Sequence, residues 1–343
     1  MRDYIIRRLI LLIPVVFGIS MITFVLSHIV GDPVAAYITE QTQEWQIAII
    51  IRQHHFDEPI LNQYFYYLVD LLRGDWGYSR AVNMPALQCV VTFFPATFEL
   101  SLVAIIMTLG LGIPIGVISA VKKDKPIDHG TRLFALAGVS MPVFWFALIL
   151  LFFFYYQLHV VGLPYFPQGG RLDYVHAGFD YPITQITGLF LLDSLLTLNL
   201  PMFLDALWHI FLPALCLSLV NMALVVRMMR SSMLEVMRQD YINMARSKGL
   251  SERVVIYKHA LRNAMIPTLT VGGLIFGGLL SGAVLTESVF SWPGMGRWAT
   301  QAIVTTDFGG INAFVLIVGI IYVSVNLIVD ILYGVMDPRI RYG

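Results

Sequence analysis

Long apolar runs alternate along the chain with short charged segments, and the charges gather between the runs instead of alternating within them. A bilayer core takes about 20 apolar helical residues. Six runs reach that length: residues 9–29, 98–121, 133–158, 207–229, 264–289 and 311–332. A seventh, residues 183–204, contains Asp193 and Asn199 with Pro201 near its end, and hydropathy alone does not exclude it. The first run follows Arg2, Arg7 and Arg8. It is too long for the apolar region of a signal peptide and is followed by no small-x-small cleavage site, so it reads as a retained anchor.

Charge fixes the number of crossings. Lys and Arg near span ends stay in the cytoplasm. With the N-terminus inside and six spans, the inner segments hold three basic residues (Arg2, Arg7, Arg8), four (Lys122, Lys123, Lys125, Arg132), eight (Arg227, Arg230, Arg238, Arg246, Lys248, Arg253, Lys258, Arg262) and two (Arg339, Arg341), which is 17 of 22. Only Arg52, Arg73, Arg80, Arg171 and Arg297 fall outside. A span at 183–204 would move the eight-charge loop outward, so that stretch is placed on the outer face, lying along the membrane or dipping into it. The expected fold is an all-α membrane protein with six transmembrane helices, both termini cytoplasmic, and an extracytoplasmic cap between the first and second spans. The expected division is residues 1–29 for the N-terminus and first span, 30–97 for the cap, and 98–343 for the core. The cap is rich in rings: Tyr64, Phe65, Tyr66, Tyr67, Trp76 and Tyr78.

Composition agrees. The chain is 57% hydrophobic and 13% charged, less charge than a soluble domain needs to cover its surface. Its formal charge is zero, so charge implies no nucleic-acid partner. Cys89 and Cys216 are too far apart in sequence to suggest a metal constellation or a disulfide framework.

Candidate chemistry is sparse. A phosphate-cradling loop needs Gly-x-x-x-x-Gly-Lys-Ser/Thr, and the chain has no Gly-Lys pair, so ATP hydrolysis by this chain is not expected. Ion-coupled transporters carry ionisable groups deep in their spans. Here Glu99, Glu287 and Asp330 read as lying near span ends, and His209 reads as a hydrogen-bonded group more than a relay. No His-Glu-x-x-His or Gly-x-Ser-x-Gly motif is present. His54 and His55, with Asp57 and Glu58 nearby, read as a solvated loop, although they could also converge on a metal.

The most informative segment is 233–267, the longest inner loop. A short helical stretch, Ala245-Arg246-Ser247-Lys248, is ended by Gly249, because Gly accepts the positive φ of a helix terminus. Ser251 can cap a second helix with Glu252 in its first turn. Leu250, Val254, Tyr257 and Leu261 form an apolar stripe spaced 4, 3 and 4. Such a helix lies either on the lipid surface or in a groove of a cytoplasmic partner.

The run from Asp240-Tyr241-Ile242-Asn243-Met244-Ala245 through Arg253, followed by His259-Ala260-Leu261-Arg262-Asn263-Ala264 and Pro267, resembles the cytoplasmic loop of ABC importer permeases. It is most similar to the dipeptide/oligopeptide/nickel branch. Gly31-Asp32-Pro33, Gly74-Asp75-Trp76-Gly77-Tyr78-Ser79, Pro95-Ala96-Thr97-Phe98-Glu99-Leu100, Phe290-Ser291-Trp292-Pro293-Gly294-Met295-Gly296 and Asp337-Pro338-Arg339-Ile340-Arg341 extend the resemblance over the chain. One departure from the wider importer pattern is that Asn243-Met244-Ala245 replaces Glu-Ala-Ala and Pro267 lies 18 residues after Gly249.

The resemblance implies a plasma-membrane permease with four kinds of partner. These are a second homologous permease subunit, cytoplasmic ATPase subunits, an extracytoplasmic substrate-binding protein and membrane lipid. It implies that no cofactor is bound by this chain, ATP and Mg residing on the ATPases. It assigns ATPase coupling to Asp240, Tyr241, Ala245, Arg246, Lys248, Gly249, Leu250, Arg253, His259 and Arg262. Within the branch a peptide is the first expectation for the solute and an oligosaccharide the second; nickel is disfavoured because the spans hold no His/Cys/Met cluster at ligand spacing. A secondary transporter is the competing class. Gly273/Gly277 and Gly278/Gly282 are small-xxx-small pairs that suit a subunit interface or internal packing. Pro95, Pro114, Pro142 and Pro213 sit in or at spans, where proline kinks helices.

Overall fold

The computed structural model describes residues 2–30, 33–38, 42–173 and 185–336. In chain order the helices are α1 (Arg2–Val25), α2 (Glu44–Gln53), α3 (Ile60–Arg73), α4 (Ala86–Val121), α5 (Pro126–Ser140), α6 (Val143–Val161), α7 (Phe190–Leu196), α8 (Leu200–Val236), α9 (Asp240–Ser247), α10 (Glu252–Leu280), α11 (Val284–Val289), α12 (Met295–Val304) and α13 (Phe308–Met336). A two-stranded antiparallel hairpin, β1 (Tyr78–Ser79) and β2 (Met84–Pro85), lies between α3 and α4. Among the described residues, α4, α6, α8, α10 and Phe308–Val329 within α13 are long and apolar enough to cross a bilayer, and Ile13–His28 forms a shorter apolar helix.

Several span boundaries differ from the sequence expectation, each for a local reason. The helix expected as the second span begins at Ala86 instead of residue 98, and Pro95 lies inside the helix instead of opening it. Residues 86–97 carry no charge and are themselves mostly apolar, so the helix continues through them. The run 133–158 is two helices. The residue before a proline avoids the helical region, so α5 stops at Ser140, Met141 is extended (ψ 128°), and α6 restarts after Pro142. The run 264–289 also breaks: α10 ends at Leu280, Gly282 turns the chain at φ +104°, and α11 is a separate short helix. At its other end α10 reaches back to Glu252, so the second helix of the 233–267 loop and the fifth span are one continuous helix.

The stretch 183–204 contributes a seven-residue helix, α7, and the start of α8. Its polar residues explain why. Asp193, fully buried, accepts hydrogen bonds from the backbone N–H of Ile186, Thr187 and Gly188 and from the Thr187 hydroxyl. Asn199 caps α8 by accepting from the Met202 N–H at 3.2 Å.

The core runs along α4, α8 and α10, where Leu100, Ala104, Ile105, Ile210, Ala214, Leu217, Val225, Ile275 and Leu279 meet. Glycines set the α4–α8 distance. A Cβ on Gly112 would stand 2.9 Å from Val225 Cγ1, and one on Gly116 would stand 2.7 Å from Met229 Cβ and 2.9 Å from the Val226 carbonyl oxygen. Close backbone approach of this kind is how helices associate where lipid removes the hydrophobic drive between them. The opposite faces carry bare apolar side chains, such as Ile106, Leu148, Phe153 and Leu224.

Candidate coupling surface

At the end of the bundle where α4 finishes and α5 starts, the chain between α8 and α10 builds a two-helix surface. Its foundation is apolar. Ile242 and Ala245 of α9, Val255, Ala260 and Ala264 of α10, and Met229 and Met233 of α8 pack with Val117 and Ala120 of α4. Burying Ile242 at 0% exposure fixes α9 on the bundle at a contribution of about 1.5–3 kcal/mol.

Gly249 joins the two helices. Its φ is +77° and its N–H donates to the Arg246 carbonyl at 2.9 Å. Leu250 N–H reaches back to the Ala245 carbonyl at 3.4 Å, so the orphan carbonyls of the helix end are met by the turn itself. Ser251 stands at the cap position of α10 with extended backbone, although its side chain makes no capping bond. Arg246 and Glu252 close the elbow with an Nε–Oε1 contact of 2.8 Å. Tyr241 and Asn263 join α9 to α10 at 2.7 Å.

The face left outward is mixed. Tyr241, Met244, Leu250, Val254 and Tyr257 are exposed apolar side chains, Tyr257 at 61%. Asp240, Lys248, Arg253, Lys258 and Arg262 are exposed among them. The stripe expected from spacing is therefore on the open side, apart from the half-buried Leu261, and the buried side of α10 is Val255–Ala260–Ala264. Of the residues assigned to coupling by resemblance, Asp240, Tyr241, Lys248, Gly249, Leu250, Arg253 and Arg262 are exposed, and Arg246 and His259 are half-buried. Ala245 is buried at 7% exposure, so it belongs to the foundation and offers no outward contact.

Beneath this surface lies a polar lock that the sequence did not reveal. Asp128 of α5 has no solvent exposure. It accepts two hydrogen bonds from Arg230 (2.6 and 2.8 Å), one from Ser119 (2.6 Å) and one from the Asp124 N–H (3.0 Å). The Arg230 guanidinium, with the two other donors, holds the Asp128 carboxyl well below the usual carboxylate range. A bidentate Arg–carboxylate pair fixes direction as well as distance, and it ties α4, α5 and α8 together next to α9.

At the other end, the family-like strings touch one another. Thr97 of the 95–100 string donates to Glu287 Oε1 (2.7 Å) and accepts from the Met295 N–H (2.8 Å). Trp292 Nε1 donates to the Ala96 carbonyl (2.9 Å). Glu287 Oε2 accepts the N–H groups of Gly296 (2.7 Å) and Arg297 (3.1 Å) at the start of α12, where unpaired N–H groups favour an anion. A Cβ on Gly294 would lie 2.5 Å from Glu287 Oε2 and 2.6 Å from Thr97 Oγ1, which explains that glycine. The 74–79 string is clamped in the same manner. Ser79 donates to Asp307 Oδ2 at 2.5 Å, Asp307 also accepts from the N–H of Ala81 and Gly310, and Trp298 Nε1 donates to Ser79.

Glu99, expected near a span end, lies in α4 thirteen residues from its start and is buried with Arg171 at 2.6 Å and the Leu191 N–H at 2.7 Å. His209 is buried against Asp205 of its own helix, with Nδ1 2.9 Å from the Asp205 carbonyl oxygen. His54 stacks on Tyr37, whereas His55 turns to Glu58 and stacks on Tyr66. Among the described residues no group of three or more His, Cys, Asp or Glu is placed to hold a metal.

The glycine pairs divide. A Cβ on Gly277 would stand 3.2 Å from Val325 of α13, and one on Gly273 would run into Val329, so this pair packs internally. Gly278 faces open space and Gly282 is the turn after α10, so Gly278/Gly282 is not a packing pair within the chain. The working glycines Gly112 and Gly116 were missed, although both lie in an apolar run four residues apart. Gly31, Asp32, and 337–341 lie outside the described residues.

Two family models match the chain. Residues 112–342 match the binding-protein-dependent transport system inner membrane component, and residues 1–101 match the N-terminal part of the same kind of membrane component. The chain is 44% identical over its whole length to the di/tripeptide transport system permease protein DppB of Pseudomonas aeruginosa (strain UCBPP-PA14), covering 99% of it. It is 42% identical to the probable D,D-dipeptide transport system permease protein DdpB of Escherichia coli (strain K12), over 97% of this chain and 95% of that one. It is 34% identical over the full length of both chains to the oligopeptide transport system permease protein AppB of Bacillus subtilis (strain 168).

Proposed function

The chain belongs to the family of binding-protein-dependent transport system inner-membrane components, as a permease subunit of an ABC importer, and we propose that it forms half of a translocation pathway for short peptides. The other half is a second, homologous permease subunit. Energy comes from cytoplasmic ATPase subunits, which carry ATP and Mg; this chain binds no cofactor. The solute arrives on an extracytoplasmic binding protein. Six helices cross the plasma membrane, counting the one that contains Ile13–His28, with both termini inside and residues 30–85 and 162–199 outside.

The observation that carries this reading is the outward face of α9 and the start of α10. An exposed set of Tyr241, Met244, Leu250, Val254 and Tyr257 sits on a rigid foundation and is ringed by charges. Apolar anchors with a charged rim are what a protein partner recognises. Closure of the ATPases pushes on this elbow, and the α10 helix carries the displacement directly into the membrane because no loop separates the two. Peptides are preferred to oligosaccharides because the named relatives are peptide permeases.

The test is uptake of a radiolabelled dipeptide by cells lacking their own peptide permeases and supplied with this chain and its partners. Uptake should require the ATPases and stop with vanadate. Uptake that persists without the ATPases and collapses with an uncoupler would establish a secondary transporter instead.

A further inference from the structure

A small pocket lies between the cap and the start of α13, away from the coupling surface. Its walls are the rings of Tyr37, Tyr66, Tyr67 and Trp76, with Asp70 and Asp75 at its side and Asn312 of α13 lining it. Its volume is about 100 Å³, roughly that of three waters and far below the ~300–1,000 Å³ of pockets that enclose whole ligands. It fits one head group.

Asn312, Asp70 and Asp75 bring acceptors to it, beside His28 and His54. Asn312 is 8% exposed, and its Oδ1 has no partner among the described residues. An amide oxygen buried in this way costs about 1–3 kcal/mol unless a donor reaches it. Asp70 makes no side-chain hydrogen bond or ion pair with a described residue; partial burial and the neighbouring Asp75 push its carboxyl up, against the opposing pull of Arg73, His54 and His55. The same two carboxylates, after burial, help push the Tyr37 phenol up to about 12. Asp75 uses one oxygen on the Gly77 N–H (3.0 Å). Two N–H donors of the wall are engaged elsewhere: Trp76 Nε1 on the Leu71 carbonyl, and Gln63 Nε2 on the carbonyls of Phe56 and Glu58. Two carboxylates, a free amide oxygen and ring faces together favour a cation that donates hydrogen bonds.

We propose that this pocket receives the ammonium or guanidinium of a single Lys or Arg side chain projecting from the extracytoplasmic binding protein. The inference rests on the function and topology proposed above, which put the cap on the side where that protein arrives. The pocket's small volume suits a single head group, and its two carboxylates disfavour an acidic one. A basic anchor here couples docking to the cap, which Ser79 and Asp307 bind to the α12–α13 connection.

The experiment uses the complete transporter in lipid nanodiscs and measures its affinity for the cognate binding protein. Asp70→Asn keeps the shape and removes the charge, and should weaken binding about tenfold, equal to about 1.4 kcal/mol. Asn312→Leu should weaken it several-fold. Butylammonium should compete with the binding protein at the wild-type transporter but not at Asp70→Asn, and butanol should compete at neither. Unchanged affinity in Asp70→Asn, or equal competition by butanol, overturns the proposal. Butylammonium binding without any effect on the binding protein would make this a free-amine site and also overturn it. The wild-type complex must show vanadate-sensitive peptide uptake with that binding protein; failure there counts against the proposed function, whereas uptake with an indifferent Asp70→Asn counts only against the pocket.

Discussion

Gly249 offers a graded test of the coupling surface. It holds φ +77°, and a Cβ added to it would meet nothing within 4 Å. The cost of a side chain in the free chain is therefore backbone strain alone, about 1 kcal/mol for Ala. Asn tolerates the left-handed region better than Ala, so Gly249→Asn should cost less. If the elbow is buried against an ATPase, the docking constants should separate by chemistry. Gly249→Ala carries its backbone strain in the free and the docked elbow alike, so it should change docking less than about twofold. Gly249→Asn should do the same, apart from any steric clash in the groove. Gly249→Asp tolerates the backbone as Asn does but buries an unpaired charge worth several kcal/mol, so it should reduce ATPase recovery more than thirtyfold and abolish uptake. Membrane insertion should be intact in all three, because Gly249 lies outside the apolar part of α10 and touches no span. The assay is ATPase binding to nanodisc-embedded permease, with uptake measured in parallel. If the elbow lies on lipid instead, the ATPase binds equally to all four proteins. Equal recovery with Gly249→Asp and near-normal uptake would refute the docking argument.

Five further outcomes are expected. Asp128→Ala should destabilise the chain by about 3 kcal/mol in detergent-to-SDS unfolding, because Arg230 loses its partner while one-fifth exposed; adding Arg230→Met should recover part of that loss, and simple additivity would count against the lock. Since the folded Asp128 carboxyl is depressed, its contribution is complete above the unfolded value of ~3.9 and is lost only as pH falls through the folded one, so the Asp128→Ala difference should be constant from pH 5 to 8. Gly116→Val, which would force a Cβ to 2.7 Å from Met229 Cβ, should reduce the detergent-extracted folded fraction, whereas Gly278→Ala should leave it unchanged. An impermeant thiol reagent should label a cysteine placed at 173 from outside and one at 252 only after permeabilisation; the purified chain alone should hydrolyse no ATP.

The distribution of apolar residues determined the all-α membrane class and the rough places of the long apolar helices, because lipid imposes a length on each span. Gly249 was legible for a similar reason: a helix end that needs positive φ writes itself locally as Gly. What sequence could not decide was wherever a residue's role depends on a neighbour distant along the chain. Asp128 and Arg230 are 102 residues apart, and Thr97 and Glu287 are 190 apart; before folding, each is one more charge or hydroxyl near an apolar run. Ala245 and Tyr241 look equally available in a short helix, and only docking against Val117 and Met233 turns the first inward. The same holds for glycines: Gly273/Gly277 and Gly278/Gly282 are alike as strings, but the rotation of α10 points the first pair at α13 and leaves Gly278 facing outward. Local sequence sets helix length and termini through hydrogen bonding and solvent; which face of each helix is buried is a property of the pair, set by the close contacts that only the tertiary structure makes.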